Sequence, residues 1–157
     1  MKEIVFLGLV LLLVGSSTGF SQNIPLVKDI EIKVPSSELP KEIAAFSGKW
    51  KGTWSGGGAD FILVVKEINL EKAEIIYANT ETDSVWGRMP ASSSRITAKV
   101  IPGDNPKIQF NRVSRWKTGN TGSRGLYTFE MQKDSKTLKG RCEWPRSTTK
   151  ATLERIE

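Results

Sequence analysis

Asn111-Arg112-Val113-Ser114-Arg115-Trp116-Lys117 sets three cations around an indole, and Arg124 follows just beyond Gly119, Asn120 and Gly122. No acidic residue occurs between Pro106 and Phe129. Guanidinium forks beside a flat ring suit a carboxylate, sulfate or phosphate group, because the planar donors match a planar or branched oxyanion. The competing reading is a solvated charged surface. Nucleic acid would use the same residue types, but the export signal described below argues against it.

Tyr77 and Trp86 form a second candidate surface, with Glu81 and Asp83 nearby. A phenol and an indole offer flat apolar area and two polar handles, suited to a sugar or a fused ring. They serve equally well to finish a core. Trp54 stands beside the glycine-rich turn Ser55-Gly56-Gly57-Gly58 and is a third stacking candidate. The ligand-binding candidates are therefore Trp54, Tyr77, Trp86, Arg112, Trp116 and Arg124.

Catalytic chemistry has little to work with. The chain has no histidine, which removes Ser-His-Asp and Cys-His arrangements and histidine-based zinc sites. Asp60, Glu81 and Asp83 remain as carboxylates, but their spacing does not compel an acid-base pair. The reading is a noncatalytic protein with no cofactor and no metal. Cys142 is the only cysteine, so no internal disulfide forms, and a buried inert thiol is expected.

The elements that must position these residues begin after a leader. Lys2, the uncharged apolar run 4–14 and the small residues Gly15 to Gly19 read as a secretory signal over 1–21, cut before Gln22. The apolar run is about half of the ~20 residues that a spanning helix needs. The protein is thus expected to be exported, periplasmic or extracellular, with no integral membrane segment after signal removal. A formal charge of +6 favours anions as partners. Residues 22–36 read as an extended lead-in, in which Ile30, Ile32 and Val34 alternate with Glu31 and Lys33. Residues 37–157 read as a single domain.

Ser37 and Pro40 predict a short helix over 38–46, with Leu39, Ile43 and Phe46 on one side. From Gly48 onward period two dominates. Strands are predicted over 61–68, 73–79, 96–101, 108–113, 125–131, 138–144 and 149–156, with a short one at 85–87 and a break at 89–94. Residues 61–68 are apolar on both faces, so a strand there needs a covered outer side. Short connections favour antiparallel neighbours. The predicted fold is all-β: an antiparallel up-and-down barrel of about eight strands with one short N-terminal helix plugging an end. Glu74, Lys99, Gln109, Lys139, Arg141 and Glu143 fall on its outer face.

The helix leading into Gly48-Lys49-Trp50 resembles the opening of the calycins, the group of lipocalins, fatty-acid-binding proteins and avidins. Thr137 to Trp144 also looks like a late avidin strand. The resemblance implies that Gly48-x-Trp50 starts the first strand, that Trp50 closes the barrel floor and that Arg155 packs across it. It further implies binding of a small amphipathic or anionic ligand at the barrel mouth. The lipocalin disulfide is missing, and nothing matches the biotin pocket of avidins residue by residue. Two other functions stay open: a protein-recognition or inhibitor module with a filled barrel, and a polysaccharide-binding module.

Overall fold

Gly48 holds φ at +126°, a conformation that a side chain would strain, and there the chain leaves its short helix and enters the first strand. The computed structural model describes residues 24–26, 29–84, 87–115 and 121–156. The 1–21 leader, Trp86 and Trp116 lie outside the described residues. The helix α1 spans only Lys41–Ala44. Its N-cap is Pro40, which makes no side-chain cap. The predicted start at Ser37 is therefore too early. The backbone before Pro40 is pushed out of the helical region, and the Glu38 amide turns back to Ser36 Oγ.

Ten strands follow among the described residues: β1 Gly48–Thr53, β2 Asp60–Ile68, β3 Lys72–Asn79, β4 Thr82–Ser84, β5 Gly87–Met89, β6 Ser92–Ile101, β7 Lys107–Arg115, β8 Thr121–Met131, β9 Thr137–Trp144 and β10 Ser147–Arg155. Eight of them close an antiparallel barrel in the order β1-β2-β3-β6-β7-β8-β9-β10, and β10 returns to β1. β4 and β5 form a separate hairpin within the β3–β6 connection. The barrel is the all-β architecture that the alternation predicts. Boundaries differ at two strands: the serine triplet Ser92-Ser93-Ser94, read from sequence as a break, begins β6 and pairs with β3, and β8 starts at Thr121 rather than at 125.

Strand direction divides the ends. The helix, the β2–β3, β6–β7 and β8–β9 turns and the end of β10 lie at the floor. The β1–β2, β3–β6 and β9–β10 connections lie at the mouth, as do the end of β7 and the start of β8. Inward alternation along each strand gives a core of Phe46, Trp50, Leu63, Val65, Ile75, Ile108, Leu138 and Leu153 toward the floor. Burying one such side chain contributes roughly 1.5–3 kcal/mol.

Val64, Ile76 and Ala78 face outward on β2 and β3, yet they are buried. This is the outer cover that the sequence pattern of 61–68 demands. The lead-in runs beside β2: the Lys33 amide donates to the Lys66 carbonyl, and Lys33 Nζ pairs with Glu67 at 2.7 Å. Residues 30–36 join no ladder, so this segment is a tail rather than an edge strand. Among the described residues no helix is long and apolar enough to cross a membrane.

Candidate functional site

Among the described residues, seven inward rings fill the middle of the barrel beneath the mouth. Trp54 stacks on Phe61 at 4.7 Å, Phe61 on Tyr77 at 5.4 Å, and Phe110 on Tyr127 at 5.1 Å. Phe129 and Trp144 complete the set, each about 6 Å from a neighbouring ring. Trp54 Nε1 donates to the Tyr77 hydroxyl at 2.8 Å. Tyr77 is only 2% exposed, so it supplies a platform beneath the mouth rather than an open wall.

Arg112 rests on that platform. It continues the inward parity of Ile108 and Phe110 on β7, and its guanidinium carbon lies 4.8 Å over the Tyr77 ring. One Nη donates to Asn79 Oδ1 at 3.1 Å and to Ser92 Oγ at 2.5 Å. Ser92 in turn donates to the same Asn79 oxygen at 2.8 Å. The side chain is half-buried. None of the ion pairs among the described residues includes it. Its charge meets neutral dipoles and a ring face, an environment that an added anion would improve.

Burial pushes the Tyr77 and Tyr127 phenols well above the ordinary tyrosine value. It also pushes the Cys142 thiol up to about 12. A thiol so protonated is a poor nucleophile, consistent with an inert core cysteine. Among the described residues no cluster of histidine, cysteine or carboxylate groups could hold a metal ion.

Of the six ligand-binding candidates, the structure brings Trp54, Tyr77 and Arg112 together at one place. Arg124 pairs with Val113 on the outer face of the wall, and its side chain is exposed. Arg112 and Arg124 therefore face opposite sides of β7 and β8. Trp86 and Trp116 fall outside the described residues. Asn79 joins the site from the end of β3, in the parity of Ile75 and Tyr77. Ser92 escapes sequence reasoning because a serine run carries no hydrophobic contrast. A signal is nonetheless present in Ser92, Ser94, Ile96, Ala98 and Val100, which alternate through one face.

A shallow concavity of about 1080 Å³ covers the outer face of β7 to β10 and is lined by Gln109, Thr128, Lys139, Arg141 and Lys150 among others. Three of its cations are engaged: Lys107 pairs with Glu130, Lys139 donates to Thr152, and Arg141 pairs with Glu143. No protein-family model, curated protein or solved structure matches the chain.

Proposed function

We propose that the chain is a noncatalytic, exported binding protein that takes a small anionic ligand at the barrel mouth, with Arg112 as the anchor. The observation that carries this reading is the half-buried Arg112 guanidinium, seated on Tyr77 and paired with no carboxylate among the described residues. Charge-assisted hydrogen bonds to a carboxylate or sulfate are stronger than the neutral ones it now makes. The ring layer below limits depth, so the reading favours a compact headgroup with a flat body over a long buried chain. The calycin reading is part of this proposal. The floor supports it: Trp50 is fully buried and Arg155 lies across its ring.

Calorimetric titration of the mature protein with benzoate, octanoate, sulfate and inorganic phosphate tests the proposal. Binding of at least one anion is expected, weakening with salt and disappearing in Arg112→Ala. Arg124→Ala, on the outer face, should leave that binding intact. No heat with any of the four anions, or equal binding in Arg112→Ala, would sink the assignment.

Protein recognition is the second reading, and the ring-filled interior favours it. A solid barrel spends no core volume on a cavity and offers a rigid frame for surface contacts. A polysaccharide platform is favoured less, because Trp54 and Trp144 turn inward and are half-buried.

A further inference from the structure

The seam between β6 and β7 is only partly laced. β6 pairs with β3 from Ser92 to Lys99, and β7 pairs with β8 from Lys107 to Arg115. Between β6 and β7, however, the ladder holds only three pairs near the floor: Lys99 with Gln109, Val100 with Ile108, and Ile101 with Lys107. Toward the mouth both strands continue without pairing to each other. Inside the wall, Arg112 reaches across from β7 to Ser92 on β6.

Backbone alternation shows which groups are left. The Val100 amide donates to Glu71 on the β3 side, so Ser94, Ile96 and Ala98 direct their backbone groups the same way. Ser93, Arg95 and Thr97 direct theirs into the seam. Their side chains point outward and are exposed, as are Asn111 and Val113 on β7, with Val113 45% exposed. A row of unpaired strand donors and acceptors is a template for another extended chain.

Charge chooses the occupant. On the outer face β6 and β7 carry Arg95, Lys99 and Lys107, and neither strand has a carboxylate. Lys107 is paired with Glu130 on β8, and Glu74 on β3 is held by Thr97. A second copy of this chain would set Arg95 and Lys99 against like charges, which is unfavourable across a strand pair. An acidic segment would meet opposite ones. We propose that the mouth half of the β6–β7 seam is a docking edge for an extended acidic segment of a partner polypeptide, added alongside β6. At ~3.3 Å per residue, the unpaired edge from Ser93 to Ala98 accommodates a segment of about six residues.

The test is amide hydrogen exchange of the mature protein by NMR, without and with an end-blocked hexapeptide of alternating glutamate and valine. In the free protein the Arg95 and Thr97 amides should exchange much faster than those of Ile96 and Ala98. The peptide should bind saturably and protect Arg95 and Thr97. N-methylation of alternate peptide residues should abolish binding, and a lysine-valine peptide should not bind. Arg95→Glu with Lys99→Glu, both at exposed positions, should weaken the acidic peptide at least tenfold. Slow exchange of Arg95 and Thr97 in the free protein, no binding of the acidic peptide, or equal binding of the N-methylated one would each overturn the proposal. So would a peptide-free dimer protecting the same two amides, which would assign the edge to a second copy.

Discussion

The Arg155 guanidinium lies 4.4 Å over the Trp50 indole and ties the last strand to the segment that enters the first. Arg155 Nη1 donates to the Ser47 carbonyl at 2.7 Å, and Nη2 donates to the Ala45 carbonyl. Trp50 Nε1 donates to the Phe46 carbonyl at 2.8 Å. Helix, first strand and last strand thus share one clasp at the floor. Trp50→Ala should cost ~3–5 kcal/mol of unfolding free energy, as expected for emptying a fully buried ring site. Arg155→Ala should cost about 1–2 kcal/mol through the lost stacking and backbone hydrogen bonds. Arg155→Lys should recover only part, because an ammonium cannot serve two carbonyls and a ring face with one plane. Denaturant midpoints of the two single variants and the double variant should show coupling of roughly 0.5–1 kcal/mol. Strict additivity would remove the clasp.

Arg112 should behave differently from Arg155. Its removal leaves Ser92 and Asn79 still bonded to each other, so no buried acceptor is orphaned. Arg112→Ala should therefore lower stability by no more than about 1.5 kcal/mol, while anion binding is lost. A large fall in melting temperature would recast Arg112 as a structural bolt.

Much of this arrangement is legible in the chain, because strand parity is local information. Trp50, Gly52 and Trp54 on one face, and Ile108, Phe110 and Arg112 on another, follow from counting by two. The apolar outer face of β2 likewise announces a cover. The partners of Arg112 are not legible, since Asn79 and Ser92 lie 33 and 20 residues away along the chain. Arg124 is misgrouped for a related reason: closeness in sequence across a hairpin says little about which side of the wall a residue faces. The open seam is equally hidden, because β6 and β7 alternate in the same way whether or not they pair with each other. The helix start fails where two signals compete, and the proline outranks the serine.

Gly125 shows how the mouth is packed. A β-carbon there would come within 2.8 Å of the Trp144 ring and 3.0 Å of Cys142 Sγ. The obstructing atoms are the far edge of a half-buried ring, which can swing toward the mouth. Gly125→Ala should therefore cost only ~1–2 kcal/mol, at the mild end of overpacking. The penalty should shrink when Trp144 is replaced by leucine. An unchanged penalty in the Trp144→Leu background, read from urea midpoints, would move the clash away from the ring.

Alkaline titration exposes the ring layer directly. The chain contains two tyrosines, Tyr77 and Tyr127, and both are buried. Burial raises both folded-state values above the ordinary one, against the smaller lowering effects of the Trp54 hydrogen bond on Tyr77 and of the Arg112 charge on both. Ionisation is thus easier in the unfolded chain, whose tyrosines titrate near 10. The favourable neutral burial is fully present below about pH 10 and is lost progressively as pH rises above it, because the unfolded state sheds protons that the folded state keeps. Tyrosinate absorbance should stay flat through pH 10 and then rise together with the loss of β-sheet circular dichroism. The Tyr77→Phe variant should halve the amplitude without uncoupling the two signals. A smooth tyrosinate titration centred near pH 10 in a still-folded protein would mean that water reaches the phenols, and that the barrel's middle is open where these rings are placed.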